Sequence, residues 1–427
     1  MTFDADVAIV GGGPAGTSTA LHLVRRQGVP ASRVAIFEKA RHPRDKPCAG
    51  AVSAWGLDAL DAIGAPLEVP HATMRGLRVL ASAGVADVPG ARGVNVGDPV
   101  GGAAAATTIG TTVAPLGVVV RRCEFDASLW RRVVGDGVAA FEGEPVVALE
   151  RVDGGWRLRT PARVWTARYV AACDGAGSTV RKLLGLPEPA RKGHLYVAET
   201  PLAEGDEGPR RGLCDFDLRV ADQGIEGYYW DFPTVVDGAP AVSRGIYHAN
   251  FTPRSDLKPA LARALASRGI DLASVKLRPF STRPLVAGSR LALERLALVG
   301  EAGGIDATTG EGIAQAILTG AIAAEHLAGG LRSGRTSLAG YARAVFDGRV
   351  GRHLLQSAWL ARRVYGPRGA SWRRFLAASA FARQAGAAWY TGRPLGWTTK
   401  ARLGVGLGVA LAADPGAWAL ASEAREA

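Results

Sequence analysis

The feature that most constrains this chain is the run from Asp6 to Glu38. Asp6-Val7-Ala8-Ile9-Val10 is a short, mostly apolar segment, followed at once by Gly11-Gly12-Gly13-Pro14-Ala15-Gly16. A second apolar segment, Val34-Ala35-Ile36-Phe37, ends on Glu38 and is followed by Lys39. The order reads as strand, glycine-rich turn, helix, strand, acid, the opening of a Rossmann-like βαβ unit. Gly11 permits the tight turn, Gly13 lets the backbone approach a pyrophosphate, and Gly16 lets the helix lie close on the strand. Pro14 and Ala15 open that helix, whose free N–H groups and positive dipole end favour phosphate. Glu38, twenty-two residues after Gly16, stands where it accepts hydrogen bonds from a ribose diol. Its charge disfavours a 2′-phosphate at the same place.

At 427 residues the chain exceeds one typical core, so two domains, or one with a large insertion, are expected. Cys48, Cys123, Cys173 and Cys214 are widely spaced, with no C-x-x-C pair and no metal-ligand cluster. That usage reads as a reducing compartment, and the first strand begins too early for a signal peptide, so the expected location is cytoplasmic. The net charge of +12 would suit nucleic acid, anionic lipid or acidic substrates. Arginine is scattered, however, and no basic run is interleaved with aromatics before the C-terminal segment, so no nucleic-acid partner is expected.

Along the chain, residues 1–75 read as the βαβ unit and a helix around Ser53–Ile63. Leu77–Leu80 and Val118–Val120 read as strands, the glycine-rich stretch Gly90–Gly110 has no assignment, and Phe125–Val134 reads as a helix. Residues 138–172 alternate like a hairpin, with Val146–Leu149 and Trp156–Arg159 either side of a turn at Asp153-Gly154-Gly155, and Tyr169–Ala172 is a buried strand. From about 190 to 284 the segments become strand-like and aromatic, including Tyr228-Tyr229-Trp230-Asp231-Phe232-Pro233. Leu291–Val299 reads as one more buried strand and Gly310–Leu327 as a helix; the last hundred residues look helical and carry five tryptophans. The expected fold is thus α/β. A discontinuous Rossmann-like nucleotide domain (1–75, 105–189, 285–330) is interrupted by a sheet-rich substrate domain (76–104, 190–284). A C-terminal helical region (331–427) follows.

Three further segments occur in order: Arg122-x-x-Phe125-Asp126-x-x-Leu129, Cys173-Asp174-Gly175-Ala176-Gly177-Ser178-x-x-Arg181, and Gly300-Glu301-Ala302-Gly303 through Gly310-Glu311-Gly312-Ile313. With the N-terminal motif they resemble FAD-dependent oxidoreductases of the p-hydroxybenzoate-hydroxylase fold. Lys46-Pro47-Cys48-Ala49-Gly50 and Tyr228–Pro233 are similar to signatures of the geranylgeranyl reductase branch. The resemblance covers roughly residues 5–330 and implies FAD as cofactor.

It also implies residue roles. Arg122 contacts the cofactor, a task suited to a guanidinium fork, or is simply a helix-start arginine. Asp174-Gly175 lies near the pyrophosphate and a passing nicotinamide nucleotide; Arg181 either holds phosphate or pairs with Asp174. Gly310, Gly312 and Ile313 open a helix whose N-terminus stabilises the negative charge of the reduced flavin ring. Gly300-Glu301 replaces the family's usual Gly-Asp, whose acid accepts from the ribityl chain; the longer stem puts that contact in question. Cys48 lies in a loop near the flavin with Ala49 and Gly50; its thiol either donates a proton to substrate or lines the cavity as a small hydrophobe. Tyr228 and Trp230 share one strand face and form either a cavity wall with a catalytic group or plain sheet core.

The implied chemistry is hydride transfer from reduced flavin to a carbon–carbon double bond of a small apolar, isoprenoid-like substrate. Cys48 or a tyrosine completes the addition as acid. With no second complete dinucleotide motif, NAD(P)H or a redox protein serves as a transient electron donor. Two other readings stand beside it. One is a monooxygenase that uses oxygen to hydroxylate or epoxidise, less readily to halogenate, an aromatic or polyketide-like compound. The other is a non-catalytic flavin-binding electron-transfer protein. Arg362-Arg363, Trp372, Arg373-Arg374, Trp389 and Trp397 offer peripheral contact with the inner face of a membrane, or else helices packed on the catalytic part.

Overall fold

The computed structural model describes residues 2–82, 84–89, 114–251, 256–306, 310–366, 369–393 and 395–412. The stretch Gly90–Gly110 and Trp418 fall outside them. The chain divides into two compact units. The first is Met1–Pro70, Val120–His194 and Phe280–Ser357; the second is His71–Val119, Leu195–Pro279 and Ala358–Ala427.

In the first unit, strand Ala5–Val10 is flanked in parallel by Val34–Glu38 and Val164–Ala172. Ala139–Glu142 extends the sheet beside Val34–Glu38, and Leu296–Leu298 extends it beside the end of Val164–Ala172. Runs such as Val34–Glu38 are buried throughout because a parallel sheet is covered on both faces. Strands Ala148–Val152 and Gly155–Arg159 form an antiparallel hairpin that adds to the first half of Val164–Ala172. One hydrophobic cluster joins these strands, including Val10, Phe37, Trp156, Val170 and Leu298.

The expected strand Leu291–Val299 is instead two short antiparallel strands, Ala292–Leu293 and Leu296–Leu298. Glu294 and Arg295 interrupt the apolar run; Arg295 takes a positive φ of 56° and Glu294 bridges to Ser337. The expected helix from Gly310 starts at Ile313 and runs to Ser333, since Gly310 turns with φ 78° and Gly312 caps. The tail is not one region. Helix Ala339–Asp347 belongs to the first unit, where the buried Tyr341 donates its hydroxyl to the Leu298 carbonyl at 2.9 Å.

The second unit is built on an extended sheet in the spatial order Lys192–Pro201, Ala239–Phe251, Gly227–Val236, Leu213–Asp217, Gly76–Ala81, Gly84–Pro89. Gly227–Val236 and Ala239–Phe251 form a long hairpin, and Leu213–Asp217 runs parallel to Gly76–Ala81. One face, carrying Tyr229 and Ile246, is covered by Leu257, Leu261 and Leu265 of the segment containing helix Lys258–Ala266. Helices Gly369–Ala378 and Ala380–Tyr390 lie against the strands at the other edge of the sheet.

Candidate functional site

The glycine turn is sterically enforced. Gly11 has φ 107°, and a Cβ there would run into the Cys173 carbonyl. A Cβ on Gly16 would strike the Gly11 carbonyl oxygen, so helix Pro14–Arg25 can sit on the strand end only with glycine at that position. At Gly13 an added Cβ meets nothing within 4 Å except Arg44 Nη2, so the backbone is open to an approaching group. The helix begins with Pro14, has no side-chain cap and carries no acid in its first turn. Its N–H groups are therefore left for an external anion.

Glu38 is buried, yet its carboxylate is held by two backbone donors: Gly12 N–H at 2.8 Å and Ala40 N–H at 3.0 Å. A carboxylate has about four acceptor positions, so it retains capacity for a diol. Arg44 stands beside it, 3.5 Å from Glu38 and 3.2 Å from Asp126. The buried Nε of Arg44 is the atom that faces Glu38 Oε2 at 3.5 Å, an ion pair too long for a hydrogen bond. Lys39 is exposed.

Arg122 forks onto Asp126 with two bonds of 2.8 Å and also reaches Cys48. Burial lowers the guanidinium pKa, but Asp126 and Cys48 more than offset it, and the net shift is upward. Burial likewise pushes the Asp126 carboxyl up, and Arg122, Arg44 and Lys46 pull it below its usual range. Cys48 is half-buried and accepts from the Gly50 N–H at 3.4 Å. Ala49 is half-buried, and the Gly50 carbonyl receives Val120 N–H. Lys46 bonds Glu301 at 3.0 Å and lies over the Phe280 ring. The longer acid at 301 is therefore engaged by a lysine from the same loop as Cys48.

Gly300, with φ 60°, brings its backbone against Ala15, and its N–H donates to Thr319 Oγ1. Helix Ile313–Ser333 also starts without a side-chain cap or an acid in its first turn. Helix Ala54–Asp61 lies so close that a Cβ on Gly56 would collide with Ala314. Glu311 accepts from Gln315 Nε2 at 3.1 Å and faces His353 at 3.5 Å; His353 meets Trp55 edge-on.

The structure gives Asp174 and Arg181 local tasks. Asp174 accepts from Ser178 Oγ at 2.6 Å and Val180 N–H at 2.9 Å, and burial pushes its carboxyl pKa up. Gly175 turns with φ 81° and leaves open space on its Cβ side. Arg181 neither pairs directly with Asp174 nor points free: it donates to the carbonyls of Ala302 and Pro187. It thereby braces the Asp174 turn against the Gly300 turn.

In the second unit Tyr228 and Trp230 are buried on the same face of the sheet, with Phe216, Phe232 and Tyr247 around them. Trp230 Nε1 donates to Ser243 Oγ at 3.4 Å. The opposite face places Tyr229 on Asp231.

Arg44 and His353 are site neighbours outside the motifs, while Asp126 and Glu311 stood within quoted motifs without an assigned role. Asp126 had a signal, its i+4 spacing from Arg122 on a helix. Arg44 sat in a run of loop charges, and His353 approaches from a helix far along the chain, so neither had one.

Residues 4–202 match the family described as FAD binding domain. The chain is 24% identical over 330 residues to an uncharacterised protein of Methanosarcina barkeri, covering 77% of this chain and 76% of that one. It is 30% identical over 230 residues to the 12-dehydrotetracycline 5-monooxygenase/anhydrotetracycline 6-monooxygenase of Streptomyces rimosus. That match spans half of this chain and only 41% of the relative. Among solved structures, a geranylgeranyl bacteriochlorophyll reductase-like protein of Thermoplasma acidophilum superposes with a TM-score of 0.67 at 20% identity, over 93% of this chain and 95% of that one.

Proposed function

With an FAD binding domain over residues 4–202 and the fold of FAD-dependent oxidoreductases, we propose that this protein reduces a carbon–carbon double bond of a small apolar, isoprenoid-like compound. Bound FAD supplies the hydride, and NAD(P)H or a redox protein restores it. The chain's own residues do the rest. In this reading the Pro14–Arg25 helix start would hold phosphate with Arg44 beside it, Glu38 would accept from the ribose, and the Ile313–Ser333 helix start would stabilise negative charge on the reduced ring.

One observation carries the choice of reaction. The half-buried Cys48 thiol sits in the Lys46–Gly50 loop, fixed by the Gly50 N–H and Arg122, in the unit that carries the cofactor cradle. Addition of hydride to one carbon requires a proton at the other, and this reading assigns that role to Cys48. Replacing Cys48 by alanine is expected to lower turnover about 10²-fold or more, with FAD content unchanged.

The monooxygenase reading has one specific support, the 30% identity to a tetracycline-pathway oxygenase over half of the chain. A single incubation separates the two. The purified protein, NADPH or dithionite as reductant, and a prenyl-chain substrate are held with and without oxygen, and products are weighed by mass spectrometry. A gain of two hydrogens without oxygen supports the reductase. A gain of one oxygen atom, found only in air, sinks it in favour of the oxygenase. Stable FAD with no product from either class of substrate leaves electron transfer as the function.

A further inference from the structure

The chain's positive charge is concentrated in one segment. Residues 348–413 hold eleven arginines and lysines and not one aspartate or glutamate, so nearly all of the +12 net charge lies there. Within the second unit this segment ends in helix Trp397–Ala412. The helix is apolar on both sides. Its inner side, marked by Gly406, lies close to Phe375 of the neighbouring helix. Its outer side shows Trp397 at 86%, Val405 at 70% and Val409 at 66% exposure, with Ala401 also exposed. The spacing 397, 401, 405, 409 lines these residues along one helix face.

A solvent-facing helix side normally carries charge, not tryptophan and valine. Here the cations flank the stripe instead. At 100° per residue Lys400 and Arg402 fall on its two sides, and both are exposed. Arg393, just before the helix, is exposed too, and the sequence holds no acid between Asp347 and Asp414. Lys400 lies over the Trp397 ring and Arg402 over that of Phe381, leaving Trp397 mostly exposed. Trp359 is capped by Arg363 and meets Trp372 edge-on, while Arg373 is buried and bonded to the Val364 carbonyl and to Asp222. Among the described residues of this segment, the most exposed apolar stripe thus belongs to one helix, and the charged groups beside it are basic.

We infer that the outer face of helix Trp397–Ala412 docks on an anionic lipid surface, lying in the interfacial plane with Trp397, Val405 and Val409 inserted and Lys400, Arg402 and Arg393 against headgroups. Among the described residues no helix is long and apolar enough to cross a membrane, which suits a helix that lies on one. A tryptophan at the edge of an apolar stripe has the amphipathic ring that interfacial sites favour. Each cation near an anionic surface adds attraction that salt removes. The inference is independent of which reaction the flavin unit performs.

The test uses full-length protein with its FAD in flotation with vesicles. One set is phosphatidylcholine alone; the other contains about a third phosphatidylglycerol, a composition chosen to give strong surface charge. Binding is expected to the anionic vesicles only, and to fall steeply between low and high salt. The variant Trp397→Ser/Val405→Ser/Val409→Ser changes only outward side chains, so its flavin spectrum and unfolding midpoint report an intact fold. It is expected to bind at least about tenfold more weakly. Lys400→Glu/Arg402→Glu is expected to lose the preference for anionic lipid. Equal binding by wild type and triple variant overturns the inference, as does absence of binding to anionic vesicles. A wild-type dimer that becomes monomeric in the triple variant, seen by light scattering, would make a second copy the occupant and overturn it as well. Retention on duplex DNA without retention on vesicles would do the same.

Discussion

In the first unit, Arg122 and Asp126 pair one turn apart on a single helix while Arg44 reaches from its loop to Glu38 and Asp126; in the second, Arg244 and Asp231 stand directly opposite on neighbouring strands. The second network is closed. Arg244 donates to Thr200, to Asp231 at 2.5 Å and to both oxygens of Asp206, while Arg268 and the Tyr229 hydroxyl complete Asp231. The first is looser: Arg44 Nε stands 3.5 Å from Glu38 Oε2, beyond hydrogen-bond length, and Glu38 is otherwise held by two backbone N–H groups. Closed networks of buried charge fix a sheet, whereas an open one leaves capacity for a ligand. The difference separates a scaffold from a binding site.

The largest effect should come from breaking the closed network. Asp231→Asn takes one carboxylate from Arg244 and Arg268, which keep Asp206 and Asp217, and the loss of these charge-assisted bonds costs about 1.5–3 kcal/mol. Urea unfolding should register that loss, while FAD bound per folded molecule stays the same. A change under about 1 kcal/mol would mean that the network contributes nothing beyond packing.

The open network should respond in the opposite way. Glu38→Gln keeps the shape but removes the charge that accepts from Gly12, Ala40 and the expected ribose diol. FAD affinity is expected to fall by about one to two powers of ten, the worth of charge-assisted hydrogen bonds, with a smaller change in apoprotein stability. Titration of apoprotein with FAD followed by fluorescence measures it, and unchanged affinity would remove Glu38 from the site.

A smaller effect sharpens the comparison at the Lys46–Glu301 pair, which is partly exposed on both sides. A double-mutant cycle with Lys46→Met and Glu301→Gln should give a coupling of about 0.5–1 kcal/mol in stability. Zero coupling would show that Glu301 is held by something other than Lys46.

The smallest effect is a pH slope. Burial pushes the Asp215 carboxyl up to about 6, Arg78 opposing. The folded chain therefore holds that proton more tightly than the unfolded chain does. Stability from this group is complete below the unfolded carboxylate pKa of about 4 and is lost as pH rises through about 6. Asp215→Asn has nothing to titrate, so its melting temperature should vary less between those pH values. Parallel curves for both proteins would refute the upward shift.

The glycine turn, its flanking strands and Glu38 were legible because backbone geometry demands them locally. Gly11 and Gly16 have no room for a side chain, whatever lies elsewhere in the chain. The Leu291–Val299 segment was misread because apolar runs look alike whether they form one strand or turn at Glu294-Arg295. For Arg181 the sequence left phosphate binding and pairing with Asp174 both open, since it does not show that the guanidinium donates to two distant carbonyls.

What the sequence by itself determined is the nucleotide cradle, where fixed spacings within forty residues place backbone N–H groups, a helix end and an acid. The tertiary structure decided the rest. It brought Arg44 between Glu38 and Asp126, tied Lys46 to Glu301 across 255 positions, and set His353 against Glu311. It also turned the apolar stripe of helix Trp397–Ala412 outward while Arg373 went inside. The reason is physical. Local backbone rules act over a few residues and leave a pattern in the sequence, whereas the pairing of distant charges and the choice of buried face depend on how elements dock, which no short spacing encodes.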